Sequence, residues 1–262
     1  MIAQDVGVRP NGGPAGGPAH GGPVALRAVG LSKQYGSGEA AVIALDNVTL
    51  DIASGQFTAI MGPSGSGKST LMHCLAGLDS PSRGDAFLGD TKLSSLDDTQ
   101  LTLLRRERIG FVFQSFNLLP AFTARQNIML PLELAGVRPD EQWFDMLVST
   151  LGIQDRLSHR PAELSGGQQK RVAIARALMT RPDVIFADEP TGNLDSRSSE
   201  QVLRFLQRSV RELGQTIVMV THDPIAASFA DRVVVLADGK LARDIHAPTT
   251  ETVLDALRTL GD

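Results

Sequence analysis

Cysteine, aromatic residues and long apolar runs are all scarce in this chain. The single cysteine among 262 residues, Cys74, excludes an internal disulfide framework and a zinc site built from several cysteines. No stretch approaches the ~18 consecutive apolar residues that a membrane-spanning helix needs, so we expect no direct membrane insertion. The net charge of −4 gives no support to nucleic acid as a partner. A hydrophobic fraction of 42% nevertheless predicts a globular protein with a core.

Glycine and proline are concentrated at the start of the chain. Residues 1–23 contain seven of the 26 glycines and four of the 14 prolines. Such a segment buries too little apolar surface to offset the entropy cost of ordering it, so we predict a disordered tail. It also lacks the apolar region of a signal peptide. The globular domain is therefore predicted to span residues 24–262.

The rest of the chain alternates between short apolar runs and helical patterns. Five runs are apolar almost throughout and are typical of buried strands: 57–61, 109–113, 183–187, 216–220 and 232–236. Helical patterns are found at 68–76, 168–179 and 198–213. Buried strands separated by helices predict an α/β fold with a parallel sheet covered on both faces. Residues 123–164 show helical patterns without a strand, which indicates a helical insert.

The segment 62–69 fits the phosphate-loop pattern G-x-x-x-x-G-K-[ST] in full. It follows a predicted strand and begins a predicted helix, which is the context that such a loop requires. Glycines let the backbone N–H groups face phosphate oxygens, and the helix N-terminus adds partial positive charge. Lys68 is suited to reach the β- and γ-phosphates, and the Ser69 hydroxyl is suited to Mg²⁺. This segment predicts nucleotide binding.

Two further segments carry groups suited to the same chemistry. The strand 184–189 ends in two carboxylates, of which Asp188 is placed to hold Mg²⁺ and Glu189 to accept a proton from water. The segment 164–168, Leu-Ser-Gly-Gly-Gln, begins a helix and offers a second anion site. One nucleotide does not need two such sites from one chain. Two copies facing head to tail would use both.

With these segments in this order, the sequence resembles the ATP-binding subunit of an ABC transporter over about residues 26–243. The matching elements are Walker A at 62–69, the Q-loop residue Gln114, the signature at 164–168, Walker B at 184–189, the D-loop at 193–195 and the switch histidine His222. Segments 111–120 and 191–196 resemble the lipoprotein-release, macrolide-export and cell-division group. The resemblance implies a P-loop NTPase core with a mostly parallel sheet. To this core it adds an N-terminal antiparallel β-subdomain and an inserted α-helical subdomain at about 115–165.

The resemblance also implies the residues of the site, with ATP and Mg²⁺ as cofactors. Catalysis is assigned to Glu189, His222 and Gln114. ATP is assigned to Tyr35, whose ring would stack on adenine, and to Gly62, Pro63, Ser64, Gly65, Ser66, Gly67, Lys68, Ser69 and Thr70. A second copy would contribute Ser165, Gly166, Gly167, Gln168 and Asp195 in trans. Mg²⁺ is assigned to Ser69, Gln114 and Asp188.

Simpler interpretations of three of these residues stay open at this point. Gln114 is also consistent with a polar residue at a strand end, and His222 with a helix-capping residue before Asp223-Pro224. Tyr35 is also consistent with a half-buried tyrosine packed on the sheet.

A chain of this kind needs a partner to drive. The resemblance implies a homodimer of ATPase subunits at the cytoplasmic face of the membrane, coupled to a separate permease in an export or extrusion system. The alternative is a mechanical or signalling ATPase, as in cell division. An apolar cluster after Gln114 either lines the docking groove for the partner or is buried inside the insert: Phe113, Phe116, Leu118, Leu119, Pro120 and Phe122. Gln126 stands where related subunits carry glutamate, close to this groove.

Deletion of residues 1–23 tests the predicted independence of the tail. We expect the rate of ATP hydrolysis to stay unchanged, because the segment contains none of the residues assigned to ATP. A steady-state phosphate-release assay of the shortened and full-length chains measures this. A large loss of turnover would contradict the prediction.

Overall fold

The computed structural model describes residues 23–192 and 194–260. The predicted tail, apart from Pro23, lies outside the described residues, and so does Asn193 of the segment 193–195. Within the described residues the strands are β1 (Val24–Tyr35), β2 (Val42–Ala53), β3 (Phe57–Met61), β4 (Arg83–Leu88), β5 (Thr91–Lys92), β6 (Ile109–Val112), β7 (Val184–Asp188), β8 (Thr216–Val220), β9 (Arg232–Ala237) and β10 (Lys240–His246). The helices are α1 (Lys68–Leu75), α2 (Asp98–Arg108), α3 (Ala124–Ala135), α4 (Glu141–Leu151), α5 (Gly166–Leu178), α6 (Ser196–Leu213), α7 (Pro224–Ala227) and α8 (Thr250–Arg258).

The central sheet has the strand order β10-β9-β3-β8-β7-β6. Strands β9, β3, β8, β7 and β6 pair in parallel, and β10 pairs antiparallel with β9 at the edge. Every residue of β3 and β8 is buried, which explains why both sequences are apolar almost throughout. The predicted mostly parallel sheet is confirmed.

A second, antiparallel sheet has the order β2-β1-β4-β5 and packs over one face of the central sheet. It confirms the N-terminal β-subdomain. The side chains of β3 alternate between two cores: Ile60 belongs to the core under the antiparallel sheet, and Phe57 to the core under the helices. Both faces of the central sheet are therefore covered. No helix in the described part of the chain has the length and apolarity to cross a bilayer.

Helices α3 and α4 follow β6 and come before α5, without an intervening strand. Thr123 and Gln126 cap the start of α3: the Thr123 hydroxyl accepts from the Gln126 N–H, and the Gln126 amide oxygen accepts from the Thr123 N–H. Glutamine serves in this capping box as well as glutamate does, so the cap tolerates the departure at this position. Pro131 lies inside α3 rather than at its end.

Candidate active site

The loop between β3 and α1 is tightly constrained by its surroundings. Gly62 has φ +143°, and a Cβ there would lie 2.1 Å from the Leu236 carbonyl oxygen. Gly67 has φ +98°, and a Cβ there would lie 2.3 Å from the Ala44 carbonyl oxygen. Only glycine fits both positions, because a side chain would meet fixed backbone as well as an unfavourable φ. The loop is thereby held at the N-terminus of α1.

Helix α1 differs from the other described α-helices in its start. Each of the other seven has a side chain that accepts a hydrogen bond from a first-turn N–H, whereas α1 begins at Gly67 without one. The Ser66 hydroxyl beside it is buried and has no hydrogen-bond partner in the described structure. An uncapped helix start and an unpaired buried hydroxyl are suited to receive an anion.

Lys68 places a cation across this loop. Its Nζ donates to the carbonyl oxygens of Gly62 at 2.9 Å and Pro63 at 2.7 Å. Partial burial lowers the pKa of Lys68, although the carboxylates of Glu189 and Asp188 act in the opposite direction. The ammonium is therefore close to both an anion-binding turn and two acidic groups.

The two carboxylates at the end of β7 occupy different environments. Burial raises the pKa of Asp188, and the charge of Glu189 raises it further. Glu189 has a left-handed backbone with φ +43°, and its N–H donates to Val220 in β8 at 2.9 Å. Its Oε1 lies 2.8 Å from Nδ1 of His222, whose side chain is 74% exposed. A carboxylate that extends from a strained backbone and is paired with an accessible imidazole is suited to proton transfer at a bound water.

Gln114 follows β6 and contacts the turn after Glu189. A Cβ on Gly192 would lie 3.0 Å from Cγ of Gln114, so glycine at 192 leaves room for this side chain. Gln114, Glu189 and His222 follow the parallel strands β6, β7 and β8, and the loop 62–67 follows β3. The structure thus brings all of them to the carboxyl ends of the parallel strands.

The signature residues lie at the start of α5, where Gly166 and Gly167 are already helical. The Ser165 hydroxyl accepts from the Gln168 N–H at 3.3 Å, and the Gln168 amide oxygen accepts from the Ser165 N–H at 2.9 Å. Ser165 is exposed and keeps its own hydroxyl proton for a further acceptor. Gly167 packs against the start of α6, because a Cβ there would lie 2.9 Å from Oγ of Ser198.

Asp195 caps α6 beside this signature turn. Its carboxylate accepts from the N–H and hydroxyl of Ser198 at 3.0 and 2.7 Å, and these hydrogen bonds lower its pKa. Among the described residues, the side-chain hydrogen bonds of Ser165, Gln168 and Asp195 stay within their own turns, and none reaches the loop 62–67. The predicted site residues therefore form two groups.

Tyr35 ends β1, and its side chain is 42% exposed. Its hydroxyl donates to Asp79 at 2.7 Å, and the Lys33 ammonium lies 4.9 Å from the ring centroid and also binds Asp79. The hydrogen bond to Asp79 raises the pKa of Tyr35, and partial burial adds to this. Tyr35 is therefore held by Asp79 and Lys33 with part of its side chain at the surface.

Three residues that support the Gln114 loop were missed from the sequence. Asn127 is fully buried and makes four hydrogen bonds, all to main-chain groups at residues 119–123. Lys170 and Arg176 of α5 bind main-chain carbonyls at 113–117, and burial lowers the pKa of Lys170 to about 8. The signal for Lys170 was a lysine three and four residues before Ala173 and Ile174, on the buried face of a helix.

A glycine-rich loop at an uncapped helix, a lysine across it and carboxylates on a neighbouring parallel strand define the class of P-loop nucleotide-binding proteins. Residues 45–192 match the family described as ABC transporter. The chain belongs to the ABC transporter family, as an ATP-binding domain.

Individual relatives agree with this assignment. The macrolide export ATP-binding/permease protein MacB of Marinobacter nauticus is 52% identical over 219 residues, which cover 83% of this chain and 34% of that protein. The chain thus spans about a third of that relative. The ABC transporter ATP-binding protein YvcR of Bacillus subtilis is 45% identical over 245 residues, covering 90% of this chain and 95% of YvcR.

A solved structure shows the same fold. It is the dimeric ATP-binding cassette MJ0796 of Methanocaldococcus jannaschii, in a post-hydrolysis state bound to ADP and Pi. It has a TM-score of 0.76 and 41% sequence identity, and the match covers 86% of this chain and 99% of that one.

The contact between Asp79 and Tyr35 can be tested by titration, because Tyr35 is the only tyrosine. A carboxylate acceptor disfavours the phenolate, so we expect the Tyr35 pKa to lie above the usual ~10 and to fall in Asp79→Asn. Ultraviolet absorbance of the phenolate measures both values. Asp85→Asn, which alters another hydrogen-bonded aspartate, is the matched control. Equal Tyr35 pKa values in Asp79→Asn and wild type would contradict the contact.

Proposed function

We propose that this chain binds and hydrolyses ATP to drive a membrane permease through ATP-dependent head-to-tail dimerisation. The observation that carries the proposal is the Glu189–His222 pair. Oε1 of Glu189 lies 2.8 Å from Nδ1 of His222, at the same carboxyl ends of the strands as the phosphate loop. The loop binds the nucleotide, and the pair acts on water. The family to which the chain belongs supports this combination.

ATP occupies the loop 62–70 and the exposed face of Tyr35. The β- and γ-phosphates replace the carbonyl oxygens of Gly62 and Pro63 as acceptors for Lys68, since an ammonium prefers an anionic partner. The Ser66 hydroxyl and the first-turn N–H groups of α1 face the same anion. The remaining contacts come from Ser64, Gly65, Gly67, Ser69 and Thr70.

The residues proposed for Mg²⁺ are chemically suited to it. Ser69, Gln114 and Asp188 present hydroxyl, amide and carboxylate oxygens, which are the donors that Mg²⁺ prefers. Burial and, after it, the charge of Glu189 raise the pKa of Asp188 and so disfavour its ionised form, which a divalent cation would stabilise. Held by these residues, Mg²⁺ would neutralise the charge of the phosphate oxygens.

In hydrolysis, Glu189 accepts the proton of the attacking water. His222 holds the Glu189 carboxylate through its Nδ1 and presents its exposed ring toward the γ-phosphate. Gln114, which contacts the turn after Glu189, reports the presence of the γ-phosphate to the loop that follows it.

A second copy completes each site. Ser165, Gly166, Gly167 and Gln168 of one copy contact the γ-phosphate held by the other copy, and Asp195 couples the two sites. Among the described residues, no side-chain hydrogen bond of Ser165, Gln168 or Asp195 reaches the phosphate loop of the same copy, which supports this arrangement. The dimeric state of the MJ0796 structure supports it as well.

The permease partner binds beside β6, at the cytoplasmic face of the membrane. A groove of about 390 Å³ there is lined by apolar and basic side chains, including Phe113, Pro131 and Leu134. Of the apolar cluster predicted from the sequence, only Phe113 lines this groove, and none of its members is buried.

The name of MacB, which joins ATP binding and permease in macrolide export, favours export over the signalling alternative.

Glu189→Gln tests the catalytic assignment. We expect ATP binding to persist, and turnover to fall about 10²–10⁴-fold, because the amide cannot accept the proton. Size-exclusion chromatography with ATP should then show a trapped dimer. Glu251→Gln, which removes an exposed acid from α8, is the control and should behave as wild type. Near-normal hydrolysis by Glu189→Gln would remove this residue from the base role.

Leu134→Glu tests the partner groove. Leu134 is 70% exposed at the groove, so a charge there should leave the fold and basal hydrolysis intact. We expect the fraction of chain that sediments with native membranes to fall about tenfold, since a charge is costly against an apolar partner. Leu241→Glu on β10, at the opposite edge of the sheet, is the control. Unchanged sedimentation of Leu134→Glu would exclude this groove.

A further inference from the structure

Lys170 is a fully buried cation on the inner face of α5. Its Nζ donates to the carbonyl oxygens of Phe113 at 2.7 Å and Gln114 at 3.0 Å, and it lies 5.1 Å from the Phe116 ring centroid. Among the described residues, no carboxylate forms a salt bridge with it. The charge is therefore directed at the main chain of a loop.

That loop has no regular structure of its own. Residues 113–119 follow β6 without a helix or strand, and their carbonyl groups need partners from elsewhere. Arg176, further along α5, donates to Asn117 at 2.6 Å and Phe116 at 3.2 Å. Two cations of one helix thus bind four of the five carbonyl groups at 113–117, all except that of Ser115.

The use of lysine here is costly. Burying an ammonium that forms no salt bridge opposes folding unless its hydrogen bonds and the nearby negative charge of Asp188 compensate, whereas an apolar chain of similar length would fill the space without that penalty. Helix α5 is otherwise lined by apolar residues at this face, such as Ala173, Ile174 and Ala177. Packing alone does not account for a charge at this position.

We propose that Lys170 is a positioning residue that fixes the Gln114 loop to the helix that carries the signature. Because α5 begins with Gly166 and Gly167, the clamp ties the loop of one nucleotide site to the segment that contacts the nucleotide of the other copy. A displacement of the first turn of α5 is therefore carried to Gln114 through Lys170. This inference rests on the proposed function and names a residue that the family motifs do not assign.

Hydrogen exchange tests the clamp without reference to activity. In the full-length chain, Lys170→Met keeps the length and packing of the side chain but removes the donor, and Lys170→Gln keeps a donor. We expect amides at 115–119 to exchange about tenfold faster in the methionine variant and to return toward wild type in the glutamine variant. Amides of α1 serve as the internal control. Unchanged exchange at 115–119, or loss of folding in both variants, would overturn the proposal.

A double-mutant cycle tests whether Lys170 acts through Gln114. We expect Lys170→Met to lower kcat about tenfold with little change in KM for ATP, and to have little further effect in a Gln114→Ala background. Additive losses would overturn the positioning role. Absence of ATP turnover in the wild type would instead contradict the proposed function, while the exchange experiment would still decide on Lys170.

Discussion

The backbone hydrogen bonds that join β3, β8 and β7 in parallel decide where this molecule can carry out chemistry. Ile60 pairs with Val220, and Val220 pairs with Asp188, so the three strands end at the same level of the sheet. Neighbouring strands are only ~4.8 Å apart, and loops leaving them at one level must meet. The phosphate loop, Glu189 and His222 are neighbours for this reason, although His222 follows the loop by more than 150 residues along the chain.

The elements that the sequence reveals are those whose burial is uniform. Residues 57–61 and 216–220 are strands with the predicted bounds, because every residue in them is buried and all but one threonine in each are apolar. Strand β10 escaped prediction, since it lies at a sheet edge, is largely exposed and carries polar residues. Strand β4 begins with Arg83-Gly84-Asp85 and shows no apolar run either. Strand β4 forms because it pairs with β1, and such long-range pairing leaves no local pattern in the sequence.

The site follows the same division. The phosphate loop and the carboxylates are consecutive in sequence, so their spacing could be recognised directly. Lys170 and Asn127 act on main-chain groups up to 57 residues away, and main-chain groups carry no side-chain signature in a sequence. In a sequence, residues such as Lys170 and Asn127 can be recognised only as polar residues on an otherwise apolar helix face. The direction in which they point depends on tertiary packing.

The left-handed backbone of Glu189 lowers the stability of the folded chain. A residue with a Cβ costs about 1 kcal/mol more than glycine in that conformation. A glycine there would relieve the strain and remove the carboxylate in the same step, so the chain would fold more firmly as it lost the base proposed for hydrolysis. Cellular proteolysis recognises unfolded chains and not idle ones, and copies damaged in this way would persist. They would also compete with active copies for the proposed partner.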